Sequence, residues 1–229
     1  MEISKFITSI HAAGLAHCLW TFVNVVAIRQ SPDDTWPVQE QVMGEGEHRS
    51  LWNRPQLIVP FTADQILLDF DGWGEPICQL LAGVESPQRW ALYHALPTPT
   101  YYRGRICLLG DAAHATTPHQ GAGAEIAGED AYLIASLLPQ VQSSDEVESA
   151  FYAFDSIQRQ RGNKLVETSR EASRLFSFEL FGDELKRVKE NLLERHKWIW
   201  EIDLQEQQQN ATRIQRVHTA EKLIERAQG

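Results

Sequence analysis

Cysteine is scarce in this sequence. The 229 residues contain three, Cys18, Cys78 and Cys107, and none of them forms a C-x-x-C pair. Such spacing excludes a disulfide framework and a metal site of the usual zinc type, and it favours buried free thiols in a reducing compartment. Long hydrophobic runs are also missing, because no apolar stretch approaches the roughly 18 residues of a membrane helix. The N-terminus lacks the basic and apolar segments of a signal peptide, so we expect a cytoplasmic protein without membrane association.

An excess of positive charge is missing as well. The 21 Lys and Arg residues face 31 Asp and Glu residues, which gives a net charge of −10. This balance argues against nucleic acid or an anionic membrane as a partner. Hydrophobic residues make up 43% of the chain, which is enough to bury a substantial core.

The apolar patterns predict an α+β fold, with a partial mixed or antiparallel sheet followed by a helical C-terminal region. Thr62 and Gln65 have capping-box spacing before one short helix, and Pro76 fits the first turn of the next helix. From residue 125 onward the apolar residues keep a helical period. We therefore divide the chain into a sheet-containing part, 1–124, and a helical part, 125–229, which together form one compact unit. Strands are predicted where β-branched and aromatic residues cluster, at 19–28, 56–61, 90–96 and 103–109.

The most informative stretch is GDAAHATTPHQGAGAEIAGEDA at residues 110–131. It follows a short apolar segment and precedes a helical one. A strand that ends in Gly-Asp, a loop of small residues and a helix start would present backbone N–H groups and one carboxylate to a ligand. Glycines permit close approach of the main chain, and a helix N-terminus favours electron-rich groups.

This string resembles the second flavin-binding motif of the FAD-dependent aromatic monooxygenases, especially their salicylate-hydroxylase-like branch. Further stretches are similar to that branch, and the resemblance covers residues 20–204 and the C-terminal half of such enzymes. They include DFDGWG at 69–74, WALY at 90–93, ETSRE at 167–171 and RHKWIWE at 195–201.

The resemblance implies a set of flavin-contacting residues. Asp111 would hold a ribityl hydroxyl of the flavin; the alternative is an Asp that caps the loop through its own side chain. The cofactor-binding candidates, which apply only if a flavin binds, are Gly110, Asp111, Gly121, Ala122 and Gly123.

Two departures from the family pattern argue against tight flavin binding. Relatives begin with a Gly-x-Gly-x-x-Gly turn for the ADP half of FAD, and no such turn precedes Gly110. Relatives also have a small residue where this chain has Glu125, whose charge would repel a reduced flavin, although a solvated first-turn Glu is equally compatible with the pattern. We therefore expect that the chain corresponds to half of such an enzyme and exists as a whole protein. We expect no tightly bound cofactor, and FAD would bind only if the monooxygenase alternative holds.

Four side chains are candidates for acid–base catalysis: Asp111, Glu125, His114 and His119. The two histidines lie five residues apart in a loop beside Asp111. A metal site would need a third ligand that the spacing does not supply, so we predict no metal and interpret the histidines as structural or substrate-facing.

Three functions remain open. The preferred one is a non-redox tailoring enzyme that cyclises, isomerises or dehydrates a small hydrophobic or aromatic substrate. The second is an FAD-dependent aromatic hydroxylase completed by a separate ADP-binding subunit, and the third is a non-catalytic partner of a full-length relative. Retention of the whole Gly-Asp string favours the first two. A homodimer is also expected, because the face left open by the absent half needs a cover.

Overall fold

The fold is taken from a computed structural model that describes residues 4–8, 26–30, 58–60, 62–84, 87–92 and 94–228. Contacts divide the chain into two units, Met1–Tyr93 and His94–Gly229. The division precedes the boundary that we predicted between residues 124 and 125. Residues 94–122 group with the helices because the loop that contains Gly110 packs against the helix that follows it.

The first unit contains an antiparallel sheet of four strands in the order β2-β1-β4-β3. In the register, Phe6 lies opposite both Ile28 and Trp90. The predicted strands at 19–28, 56–61 and 90–96 each overlap an observed strand, although residues 9–25 lie outside the described residues. The strands are β1 (Ser4–Thr8), β2 (Val26–Gln30), β3 (Ile58–Pro60) and β4 (Gln88–Leu92).

Two short helices complete the described part of this unit, α1 (Ala63–Asp69) and α2 (Glu75–Ala82). The predicted capping box is present. The Gln65 amide donates to Thr62 Oγ1 at 3.2 Å, and the Thr62 amide donates to Gln65 Oε1 at 3.0 Å. A cap of this kind stabilises a helix by about 1 kcal/mol. Pro76 lies in the first turn of α2, as predicted.

The second unit is almost wholly helical, which confirms the α+β class and the helical C-terminal region. Its elements are β5 (Tyr102–Arg103), β6 (Ile106–Cys107), α3 (Asp111–His114), α4 (Gly123–Leu137), α5 (Val147–Phe176), α6 (Leu185–Arg195), α7 (Lys197–Trp200) and α8 (Leu204–Gln228). Two 3-10 turns, Pro118–Gln120 and Leu138–Gln140, flank α4.

The strand that we predicted at 103–109 is wrong in extent. Only Ile106 and Cys107 form β6, and they pair with β5 across a tight turn in which Gly104 has φ +57°. Leu108 adds one more backbone bond, to the Tyr101 carbonyl at 2.7 Å. We call the segment that contains Gly110 and Asp111 the Gly-Asp loop. It therefore follows a hairpin with two residues in each strand, and not a long strand.

Two apolar clusters fix α4 in the second unit. One lies between α4, α5 and α8 and includes Leu133, Leu137, Phe154 and Ala211. The other holds the N-terminal part of α4 through Ile126, together with Ala122, Leu165 and Ile199. Because Ile126 is fully buried, the start of α4 is anchored next to the loop that precedes it.

Candidate functional site

The Gly-Asp loop depends on an unusual backbone conformation at Gly110. This residue has φ +54° and ψ −137°, a region open to glycine and closed to most L-residues. Its amide donates to Asp130 Oδ2 on α4 at 2.8 Å. A Cβ at Gly110 would lie 3.5 Å from Ala127 Cβ, which is ordinary contact, so the backbone angle and not the available space requires glycine.

His114, at the other end of α3, is bound to the same carboxylate. Its Nε2 atom lies 2.7 Å from Asp130 Oδ2. Asp130 and His114 are 0% and 1% exposed, so the pair is shielded from water. One oxygen atom of α4 therefore holds both the residue before α3 and the last residue of α3.

Tyr101 and Gly162 support this pair from the side of α5. The Tyr101 amide donates to Asp155 Oδ1 at 2.7 Å, and its hydroxyl donates to Asn163 Oδ1 at 3.3 Å. Burial, with a further contribution from the charge of Asp130, raises the pKa of Tyr101 to about 12. A Cβ at Gly162 would lie 2.6 Å from the Tyr101 hydroxyl and 2.9 Å from His114 Cδ2, so glycine is what lets α5 approach so closely.

A buried ion pair next to Asp130 joins α4 to α5 and α7. The Arg161 guanidinium binds the Glu129 carboxylate in a bidentate manner, at 2.5 and 2.7 Å. The same guanidinium donates to the carbonyls of Trp198 at 2.8 Å and Ile199 at 3.0 Å. All of its strong contacts are internal, so its role is structural.

The loop between α3 and α4 is fastened to α5 by side-chain bonds. Ser169 Oγ donates to the Thr117 carbonyl at 2.6 Å, and Thr168 Oγ1 donates to Gln120 Oε1 at 2.6 Å. Gly121 is left-handed, with φ +66°, and a Cβ there would meet no atom within 4 Å. No described side chain caps α4, so the amides of its first turn remain able to bind an acceptor.

The four predicted acid–base residues lie in different surroundings. Asp111 and Glu125 are both exposed, at the start of α3 and in the first turn of α4. His114 is enclosed with Asp130. His119 is buried on another side, stacked on Phe176 with ring centroids 6.4 Å apart, and neither of its ring nitrogens has a partner among the described residues. Burial lowers the pKa of His119 to about 4.

The network that organises the loop was not assigned from the sequence. Glu129 and Asp130 belong to the recognised string, but no role was given to them. Gly162 offered a signal, because a glycine inside a long helix costs about 1 kcal/mol and needs a packing reason. Arg161 gave no such signal, since its partner Glu129 lies 32 residues away in the sequence. Among the described residues, no cluster of His, Cys, Asp and Glu could hold a metal ion.

Comparisons with known proteins give matches in both sequence and structure. Residues 80–169 match the FAD binding domain family. The chain is 36% identical over 187 residues to the 6-methylsalicylate 1-monooxygenase of Aspergillus terreus, covering 79% of this chain and 42% of that protein. It is 35% identical over 188 residues to a salicylate hydroxylase of Pseudomonas putida, with 80% and 40% covered. A solved salicylate hydroxylase substrate complex superposes with a TM-score of 0.70 at 34% identity, covering 82% of this chain and 44% of that one.

These matches define the class first: the chain has the scaffold of the FAD-dependent monooxygenases. Within that class, its sequence is similar to the salicylate-hydroxylase-type monooxygenases, as the sequence string predicted. The chain spans about two fifths of the length of the curated relatives it matches. None of the helices in the described part is long and apolar enough to cross a membrane.

Proposed function

We propose that the chain forms the isoalloxazine-side half of an FAD site in a hydroxylase that acts on small aromatic acids. The observation that carries the proposal is Gly110, which is held at φ +54° by Asp130 directly before the exposed Asp111.

The residues present suit a flavin. The Asp111 carboxylate can accept a hydrogen bond from a ribityl hydroxyl, and the uncapped amides at the start of α4 can donate to the polar edge of the ring. The open space above Gly121 leaves room for close approach. Bound FAD supplies the redox chemistry of a hydroxylation. The residues of this chain bind the cofactor, orient it and keep the loop rigid.

The substrate class rests on the relatives. Their names give salicylate and 6-methylsalicylate as substrates, and both are aromatic acids with a neighbouring hydroxyl group. For this chain we propose a substrate of the same chemical class, in the cytoplasm. The ADP half of FAD needs a Gly-x-Gly-x-x-Gly turn, which these 229 residues do not contain. We propose that a part of the FAD site outside these 229 residues contributes it, and that these residues alone bind flavin weakly.

Titration of the isotope-labelled chain with riboflavin, FMN and FAD tests the proposal. If the chain contacts only the ring and ribityl portion, all three flavins should shift the amide signals of 110–111 and 121–125 with similar affinities. Asp111→Asn should weaken each of them about tenfold, the order of one hydrogen bond to a charged group. The proposal would be contradicted if these amide signals did not shift, or if FAD bound tightly while riboflavin and FMN did not.

A second candidate is the non-redox enzyme, favoured by Glu125, an exposed acid in the first turn of α4. It ranks second because two of its four acid–base groups are enclosed: His114 is bonded to Asp130, and His119 has a pKa of about 4. If it is correct, the chain turns over its substrate without flavin, and Asp111→Asn or Glu125→Gln lowers turnover roughly a hundredfold. Full activity of both variants would exclude this site, and a non-catalytic partner role would remain if neither flavin nor substrate bound.

We also retain the homodimer as part of the proposal. Three apolar side chains of α8, Val217, Leu223 and Ile224, are more than half exposed. Exposed apolar groups of this kind favour association with a partner surface. Light scattering at high concentration should give twice the chain mass, and a strictly monomeric species would contradict it.

A further inference from the structure

We infer that Asp130 is the positioning residue of the Gly-Asp loop: its Oδ2 atom holds the Gly110 amide and the His114 ring together and so fixes where Asp111 is presented. The inference rests on the proposed function, because it supposes that Asp111 faces a flavin. Its geometric basis is independent of any ligand.

Both ends of α3 are fixed by one atom. The Gly110 amide lies 2.8 Å from Asp130 Oδ2, and His114 Nε2 lies 2.7 Å from the same oxygen. The Gly110 carbonyl in turn accepts the amides of Ala113 and His114, both at 2.9 Å. Asp111 lies between these fixed points, so its backbone has little freedom to turn.

The conformation at Gly110 needs such a constraint. Glycine reaches many backbone conformations with similar energy, so a residue with φ +54° and ψ −137° stays there only when its surroundings determine it. The bond to Asp130 supplies that determination. Without it, the Gly110 amide loses this acceptor, and Gly110 keeps the bonds of its carbonyl to the Ala113 and His114 amides, which do not fix the orientation of its own amide.

The far side of the pair is rigid as well. His114 is in contact range of Gly162 on α5, and its ring centroid lies 6.1 Å from that of Tyr101. Asp130 sits on the buried face of α4 and is inaccessible to solvent. The carboxylate therefore cannot follow the loop if the loop moves, which is the property that a positioning group requires.

The chain offers a matched control in Asp155. This residue is also a buried helical Asp, and it also accepts a backbone amide, that of Tyr101 at 2.7 Å. It contacts neither Gly110 nor His114 by any hydrogen bond, and its second partner is Arg159. Asp130→Asn and Asp155→Asn thus make the same chemical change at two buried helical positions, and only Asp130 is bonded directly to Gly110 and His114.

The test measures three quantities in the full chain: thermal unfolding, hydrogen exchange at the Gly110 amide, and binding of FMN as the probe. Both variants should unfold at lower temperature. Asp130→Asn alone should speed exchange at Gly110 and weaken FMN binding, each about tenfold relative to Asp155→Asn, because the amide loses a charge-assisted acceptor. Equal effects of the two variants on exchange and on FMN would overturn the inference.

The outcomes also separate this inference from the proposed function. If the unaltered chain binds no FMN, the proposed function fails, while the exchange rate at Gly110 still decides whether Asp130 positions the loop. If Asp130→Asn does not fold, Asp130→Glu against Asp155→Glu makes the same comparison with the charge kept and the oxygens displaced by one methylene. Faster exchange at Gly110 in Asp130→Glu alone supports the inference, and equal rates overturn it.

Discussion

The buried network beside the Gly-Asp loop and the polar contacts of α8 with α5 and the segment just before it both consist of paired charged side chains, but they differ in burial. In the network, Glu129 and Arg161 are 4% and 8% exposed and form a bidentate pair. We call the second region the α8 seam; it consists of Lys222–Glu148 and Arg226–Asp145, with His218 beside them. The Arg226–Asp145 pair is more than half exposed. Removal of one buried partner costs several kcal/mol, whereas exposed pairs contribute little. We therefore expect the buried network to stabilise the site strongly and the α8 seam to contribute little to the packing of α8.

Two histidines repeat this contrast. His119 is buried against Phe176 with no polar partner for its ring among the described residues. His218 in the α8 seam stacks on Tyr152 at 4.1 Å and lies 3.0 Å from Ser149 Oγ. Burial lowers the pKa of both, with Lys222 adding to the effect at His218. At His218 the charges of Glu148, Glu221 and Glu225 oppose the lowering of the pKa, whereas burial acts alone on the pKa of His119.

The largest expected effect comes from Glu129→Ala, which leaves the Arg161 charge buried without its carboxylate. We expect the free energy of unfolding to fall by about 3–5 kcal/mol, the usual cost of breaking a buried pair. Urea unfolding measures it. Glu129→Gln, which keeps an acceptor for the guanidinium, should cost less. A loss below about 1 kcal/mol for the alanine variant would mean that the Trp198 and Ile199 carbonyls hold Arg161 on their own.

The second effect is a pH dependence at His119. In the folded chain the pKa of His119 is about 4, below its ordinary value of 6.5. Between these two values the unfolded chain binds a proton at His119 and the folded chain does not. Stability is therefore lost as the pH falls from 6.5 to 4, by about 3 kcal/mol from this residue.

His119→Gln tests this pH dependence, because the variant has no ring to titrate. Its unfolding free energy should fall less between pH 7 and pH 4 than that of the unaltered chain. His218→Gln serves as the comparison from the α8 seam, where the same direction and a smaller change are expected. Parallel pH profiles for the unaltered chain and His119→Gln would contradict the assignment.

A third prediction compares one substitution at two helical glycines. Gly162→Ala places a Cβ 2.6 Å from the Tyr101 hydroxyl, so we expect a loss of about 1–3 kcal/mol from overpacking. Gly128→Ala in α4 meets no atom within 4 Å and should stabilise the chain by about 0.5–1 kcal/mol through the higher helix propensity of alanine. Thermal unfolding distinguishes the two signs. Stabilisation by Gly162→Ala would show that α5 can move away from Tyr101 and His114 without cost.

These contrasts explain how much the sequence could predict. The capping box at Thr62 and Gln65 was predicted because both partners lie within one turn, and the α+β class followed from local periodicity. The Gly-Asp string was recognised as a unit. The role of Asp130 was not, because its partners Gly110 and His114 become neighbours only when α4 packs beside the loop. The extent of the 103–109 strand was wrong because the chain turns at Gly104, between Arg103 and Ile106.

The smallest expected effect comes from the α8 seam itself. Lys222→Gln removes the charge that binds Glu148 at 2.5 Å, but both side chains are about one third exposed. Water and salt replace much of the lost interaction, so we expect a change of about 0.5 kcal/mol or less at low ionic strength, and none at about 1 M NaCl. A double-mutant cycle with Glu148→Gln, followed by urea unfolding at both salt concentrations, isolates the pair. A coupling above about 2 kcal/mol that persists in high salt would mean that the seam is dehydrated, and the difference between the two regions would then not be one of burial.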